Sequence, residues 1–502
     1  MNSGKKEFVI GLDCSTTSTK AIAFDKNGRV AAQAVEKIPL FSPKLNYYEQ
    51  NASDWWISSR KALRKIVQQI DPGRITALAV SNQRETFVAL DKNRNSIRQA
   101  IIWLDERCKD EVESFSQKIG KDRIHKITGK PVDYAPVVYR LAWMKKNEPL
   151  LFKKIAMICD VNTFLVWKLT GAFRTCWASA DPLGMFGLKN KKWSSVILNE
   201  LELYENQLPE TFCPGTVLGK VSEEASKLTG LKTNTLIIAG GGDGQAAGLG
   251  SNVLTSKSAY LNLGTAVVAG VYSAQYKTNK AYRTMCSCSD EGYYLECSLR
   301  AGTFAIDWFI KKILKIDPLQ QPNIYKHLEK GAEKISIGSN GLLHLPYLCG
   351  VMNPYWDINA RGAFIGLSSS HTRAHLYRAI LEGIAFEKLF AINEVEKNIN
   401  ANIKDLIVIG GGASNNLWLR ILADVTGKNI CIPENTEASA LGAAITAAVG
   451  AGWYKTFQDA ANKMTGIKKI IKPDIDNNKK YRQIYSVYTK IYPALKSITV
   501  DF

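Results

Sequence analysis

A strand, polar turn, strand unit at the N-terminus, whose plan returns halfway along the chain, narrows the possible folds more than any other feature. Phe8-Val9-Ile10-Gly11-Leu12-Asp13 is apolar and partly β-branched, breaks into Cys14-Ser15-Thr16-Thr17-Ser18-Thr19-Lys20, and resumes as Ala21-Ile22-Ala23-Phe24. Asp25-Lys26-Asn27-Gly28 reads as a turn into a third strand over residues 29–34. In the second half, residues 259–263, a Gly264-Thr265 turn and residues 266–272 repeat the pattern, as an internal duplication would. Helical periodicity over residues 372–400 and a short strand at 406–409 complete a mixture that predicts α/β lobes with helices covering sheets. The boundary falls in residues 250–257, which divides the chain into 1–252 and 253–502.

A chain of 502 residues exceeds one ordinary core, so two large lobes are the natural expectation. Apolar residues at 46% and charged residues at 22% argue against both disorder and a membrane-embedded fold. The start of the chain runs directly into a strand without an apolar core and cleavage site, so it is read as lacking a signal peptide. The uncharged stretch 438–454 is too short and too rich in Ala and Gly for a membrane span, and reads as a buried helix. The ten cysteines are scattered, and the Cys286, Cys288 spacing matches no zinc or redox signature; reduced thiols in a cytoplasmic protein are expected. A formal charge of +19 raises nucleic acid as a partner, but the basic residues are dispersed and no recognition module is present. A solvated basic surface that attracts anionic nucleotides is the expectation instead.

Phosphoryl transfer needs donors around the phosphates, carboxylates for a divalent metal and a base beside the accepting hydroxyl. Asp13 ends a buried strand and is followed by five hydroxyl residues and Lys20, a set able to surround a phosphate with Asp13 reaching a metal. Gly240-Gly241-Gly242-Asp243-Gly244-Gln245-Ala246 follows an apolar strand and contains the G-x-G-x-x-A of dinucleotide sites. No acidic residue occurs between Asp243 and Asp290 to hold a ribose, which counts against that reading. An Asp between glycines at a strand end is well placed as a general base. A third cluster, Gly410-Gly411-Gly412-Ala413, leads into Asn415-Asn416 and a helical stretch, and can present backbone donors to an anion. Walker A and protein-kinase signatures are absent, and the five histidines form no metal or nucleophile constellation.

Taken in order, these segments resemble the FGGY family of carbohydrate kinases, a branch of the actin-like ATPases. The resemblance rests on residues 13–20, Asn82-Gln83-Arg84-Glu85-Thr86, Trp103-Leu104-Asp105-Glu106-Arg107, residues 240–248, Asn262-Leu263-Gly264-Thr265, Pro354-Tyr355-Trp356-Asp357 with Ala360-Arg361-Gly362, residues 410–416 and residues 437–444. It implies an α/β fold of two actin-like (ribonuclease H-like) lobes with an ATP cleft between them, the N-terminal lobe binding sugar or polyol and the C-terminal lobe nucleotide. Asp243 would be the catalytic base and Asp13 the metal-site carboxylate for Mg²⁺. Thr16, Thr17, Lys20, Gly264, Thr265, Gly411, Gly412, Ala413 and Asn416 would bind ATP, and Gln83, Arg84, Glu85, Trp103, Asp105, Asp243 and Gln245 the acceptor. Ser15 stands where the family usually has Gly. Residues 82–86 look like the glycerol kinase branch, while residues 103–107, Ala135-Pro136 and the C-terminal segment look closer to xylulose kinases. The expected activity is phosphorylation of a small sugar, a ketopentose such as xylulose first, a short polyol second, with an inactive nucleotide-binding scaffold as the reading from another class. A homodimer without nucleic-acid or membrane partners is implied.

Overall fold

Two sheets of one design carry the chain, and a computed structural model describes them over residues 7–499. The first sheet comprises β1 (Phe8–Cys14), β2 (Ser18–Phe24), β3 (Val30–Lys37), β4 (Ile75–Asn82), β5 (Val217–Lys220) and β6 (Leu236–Gly242), in the order β5-β6-β4-β1-β2-β3. The second comprises β7 (Ser258–Leu263), β8 (Val267–Ser273), β9 (Arg283–Cys286), β10 (Tyr293–Leu299), β11 (Asp405–Ile409), β12 (Asn429–Pro433) and β13 (Ile467–Ile471), in the order β9-β10-β8-β7-β11-β12-β13. The meander β1–β2–β3 is antiparallel, and β1 pairs parallel with β4 and β4 with β6. Strands β7, β8 and β10 repeat that meander, and β7 pairs parallel with β11 and β11 with β12. The shared order and direction make the two hairpins noted in the sequence equivalent parts of a duplicated α/β plan. The segment 1–6, on which the reading of no signal peptide rests, lies outside the described residues.

Strand β1 is buried at every position, which is why it reads as an unbroken apolar run rather than an alternating one. Helix α1 (Ala52–Gln69) starts at Asn51, whose side chain accepts from Ser53 N, and buries Trp55, Trp56, Leu63 and Ile66. The helices that matter most to the site are α2 (Asp243–Gly250), α3 (Arg373–Ile399), α4 (Asn416–Thr426) and α5 (Ala438–Gly450). Helix α3 stops at Asn400, which takes the left-handed conformation at φ 51°.

Helix α5 is the buried helix expected from the uncharged stretch, and it packs against the first sheet rather than the second. Ala440, Leu441, Ala444 and Ile445 join the core built around β1 and β4, across from the second sheet. Its backbone nearly touches the first lobe: a Cβ added at Gly11 would lie 1.8 Å from the carbonyl oxygen of Ala440, and one at Gly442 would lie 1.8 Å from that of Ala246 on α2. Small residues are required because backbone meets backbone. Gly442→Ala is therefore expected to destabilise the protein by about 1–3 kcal/mol, as an overpacked core does, read as a lowered urea midpoint with an unchanged slope.

Candidate active site

The first hairpin turn is tighter than its run of polar residues suggests. Strand β2 already begins at Ser18, so Lys20 lies within it, paired across the hairpin with Asp13. Ser15 donates through N and Oγ to the carbonyl of Ser18, at 2.9 and 2.8 Å. Its φ is not left-handed, so Ser in place of Gly meets no backbone strain. Thr17 is exposed and Thr16 half-buried, the latter accepting at Oγ1 from Trp103 Nε1 at 2.8 Å. Asp13 accepts from Ser81 Oγ at 2.8 Å, a residue supplied by the neighbouring parallel strand β4. Burial pushes the Asp13 carboxyl up to about 7 against that hydrogen bond, with negative Asp243 adding to the rise and Lys20 opposing it.

Asp243 opens α2 directly after β6; its Oδ1 accepts from Gly244 N at 2.7 Å and forms an ion pair with Arg84, whose Nε lies 3.1 Å away. Its side chain remains 39% exposed. Burial of the surroundings raises this carboxyl too, while Arg84 pulls it down. Arg84 is in turn held by Glu296 of β10, whose two oxygens each lie 2.8 Å from Nη1. Glu296 also accepts from Arg283 Nε at 3.1 Å and Tyr260 OH at 2.5 Å, and Arg283 Nη1 donates to Glu85 at 2.9 Å. Burial would raise the Glu296 carboxyl, but Arg84 and Arg283 overcome it and hold the pKa at about 2. Glu85 adopts φ 49° where the chain leaves β4 for a small four-stranded sheet, a conformation uncommon for residues other than glycine. The glycines flanking Asp243 serve this network: a Cβ at Gly242 would meet Arg84 Cγ at 2.5 Å, and one at Gly244 would meet Arg84 Nη2 and Glu296 Oε1 at 2.8 Å.

On the second lobe the Gly264–Thr265 turn is buttressed by Gly302 N and Thr303 N, which donate to the carbonyls of Thr265 and Gly264 at 2.9 and 3.0 Å. Gly410–Gly412 packs against the end of β7, with Gly412 over Leu263 and Trp418, while a side chain at Gly411 would project into open space. Asn415 caps α4 by accepting from Trp418 N at 2.8 Å, which leaves Asn416 exposed as the first helical residue beside half-buried Ala413.

Like Arg84, Glu85 and Trp103, three further residues expected to bind the acceptor have partners within the protein. Asp105 is fully buried and accepts from Tyr48 N and from Arg107 N, Nε and Nη2. Gln83 donates to Gln50 at 2.8 Å, and Gln50 donates to the Thr16 carbonyl at 2.6 Å, so Gln83 supports the first turn from behind. Gln245 accepts from Arg84 at 3.2 Å and donates to the Ala178 carbonyl at 2.9 Å. Sequence reasoning missed Ser81, Tyr260, Arg283 and Glu296. A charged residue amid the apolar strand Tyr293–Leu299 was the available signal for Glu296.

Among the described residues no three or more His, Cys, Asp or Glu side chains are arranged to hold a metal ion. Two mutually repelling carboxylates, Asp13 and Asp243, still suit magnesium that arrives on a nucleotide, because that ion keeps several waters and takes few protein ligands beside phosphate oxygens. All ten cysteines are free, and no described helix is long and apolar enough to cross a membrane.

Comparison with known proteins finds relatives over almost the whole chain. Residues 8–250 match the N-terminal domain, and residues 259–451 the C-terminal domain, of the FGGY family of carbohydrate kinases. The xylulose kinase of Bacillus subtilis (strain 168) is 30% identical over 497 residues, 98% of each chain. The gluconokinase of the same organism is 24% identical, covering 98% of this chain and 96% of its own. The crystal structure of ligand-bound xylulose kinase from Lactobacillus acidophilus superposes with a TM-score of 0.92 at 25% identity, covering 99% of this chain and 100% of that one.

Proposed function

The chain belongs to the FGGY family of carbohydrate kinases, and from that membership we propose that it transfers the terminal phosphoryl group of ATP to a hydroxyl of a ketopentose, xylulose first among them. It is a sugar kinase; the acceptor and the residue roles are the proposal. The observation that carries it is Asp243, held by Arg84 and Gly244 N at the start of α2, partly exposed, and near enough to Asp13 for its charge to act on that carboxyl.

In this reading Asp243 takes the proton as the acceptor oxygen attacks, and Arg84 and Glu85 bind neighbouring hydroxyls, with Trp103 beside them. Thr16, Thr17 and Lys20 face the phosphates from one lobe and Gly264 and Thr265 from the other, while Gly411, Gly412, Ala413 and Asn416 line the adenosine pocket. Asp13 holds Mg²⁺, which neutralises charge on the phosphates. The division follows the sheets, with acceptor on residues 1–252 and nucleotide on 253–502. The reading extends to a cytoplasmic homodimer without nucleic-acid partners, and the free thiols suit a reducing compartment.

A base needs its ionised form, so kcat/KM falls as pH drops through the Asp243 pKa. Because that pKa is raised, the acid limb is expected above the ordinary carboxylate range near pH ~4, read from kcat/KM between pH 4 and 8. Arg84 and Glu85 also fit a short polyol, so the deciding experiment is ADP release from Mg-ATP with xylulose, ribulose, glycerol, erythritol and gluconate against an acceptor-free control. Xylulose is expected to give the largest kcat/KM. Preference for glycerol would support the polyol reading, and no acceleration in nucleotide-binding protein the inactive scaffold.

A further inference from the structure

Lys20 has two claimants. In the proposed reaction its ammonium faces the phosphates, yet in the structure it donates to both oxygens of Glu437, at 2.8 and 2.6 Å. Glu437 immediately precedes α5, where its own N–H donates to Asn435 Oδ1 at 2.9 Å. Two residues on, Ser439 Oγ donates to the carbonyl of Asp243 at 3.1 Å, and Ala440 packs backbone to backbone on Gly11. Glu437 is thereby fixed beside the hairpin that bears Lys20. The two side chains are 32% and 39% exposed, so the pair is open to exchange with a ligand in the cleft.

A nucleotide that takes the ammonium of Lys20 leaves the Glu437 carboxylate without its partner, close enough that Asp13 feels both Lys20 and Glu437. Three carboxylates, Asp13, Asp243 and Glu437, then surround a triphosphate, and like charges repel most where no cation offsets them. We propose that Glu437 is a positioning residue that holds Lys20 over the phosphate turn in the empty cleft and competes with the nucleotide phosphates for it, setting affinity and disfavouring nucleotide without its metal. This rests on the reading of Lys20 as a phosphate ligand.

The test is calorimetric titration of the full-length protein, without acceptor, with a non-hydrolysable ATP analogue in EDTA and in Mg²⁺. Glu437→Gln is expected to bind the metal-free analogue roughly three- to tenfold more tightly than the unsubstituted protein, the scale of losing one half-exposed ion pair and a like-charge contact. The gain is expected to shrink at higher ionic strength, to be smaller in Mg²⁺, and to vanish in a Lys20→Met background, because the two residues act as one pair. Lys20→Met alone is expected to weaken binding. Equal or weaker binding by Glu437→Gln with an unchanged near-UV spectrum overturns the proposal, as does a gain that persists undiminished beside Lys20→Met. Should Glu437→Gln lose that spectrum, Glu437→Asp decides, with tighter metal-free binding expected from its shorter reach and unchanged binding against the proposal. Unweakened binding by Lys20→Met removes the phosphate reading of Lys20 and the proposal with it, an outcome distinct from the failure of Glu437 alone.

Discussion

Asp243→Asn is expected to lower kcat by at least about a hundredfold, the contribution of a positioned general base, while nucleotide affinity stays within a few-fold. The substitution keeps size and shape, and the amide oxygen can still accept from Gly244 N, so α2 retains its start. Arg84 also stays in place, because Glu296 and Gln245 hold its Nη1 independently of Asp243. What disappears is the group able to take the acceptor's proton. The acid limb of the pH profile is expected to disappear with it, since Asn does not titrate, a change that mere loss of packing would not produce. Near-normal turnover in the variant would remove Asp243 from the role.

The largest stability effect is expected at Glu296. The residue is 1% exposed, and its carboxylate is shared by Arg84, Arg283 and Tyr260. Glu296→Gln removes the charge and leaves two buried guanidiniums short of a partner, and breaking a buried pair in this way costs about 3–5 kcal/mol. The lower end is expected, because Arg84 keeps Asp243 and Arg283 keeps Glu85. The folded-state pKa of Glu296 lies at about 2, below its ordinary 4.5. Its contribution is thus complete above pH 4.5 and is lost as pH falls through 2. Urea unfolding is expected to show the full gap between the two proteins at pH 7 and a narrowing gap below pH 4.5. A gap that is absent at pH 7 would mean that Glu296 is not the keystone of this network. The same variant is expected to slow turnover, since Arg84 would then hold Asp243 less firmly.

Much of this was legible in the sequence because it is local. A buried apolar run ending in Asp13, and another ending in Gly242 before Asp243, announce strand ends, and both carboxylates stand at such ends in neighbouring parts of one sheet. The Asp25–Gly28 turn forms as its residues dictate, with Asp25 Oδ1 accepting from Asn27 N at 2.8 Å and Gly28 at φ 72°. What could not be read depends on pairs brought together only by the fold. Arg84 and Glu296 are 212 positions apart and Lys20 and Glu437 are 417 apart, and no spacing rule connects them. Asp105 shows the converse: it stands inside a recognisable motif, but nothing in the sequence announces Arg107 and Tyr48 N as its partners. The glycines around Asp243 were likewise legible as glycines, but what they make room for is Arg84 and Glu296.

Phosphoryl transfer from ATP to a sugar hydroxyl is tested by following the phosphorus itself. ATP labelled in its terminal phosphate is incubated with the protein, Mg²⁺ and xylulose, and the label is located by separating sugar ester from inorganic phosphate. Label is expected in a sugar monophosphate, at a rate that depends on xylulose and collapses in Asp243→Asn. Label appearing in inorganic phosphate at the same rate with and without any of the five acceptors would contradict it.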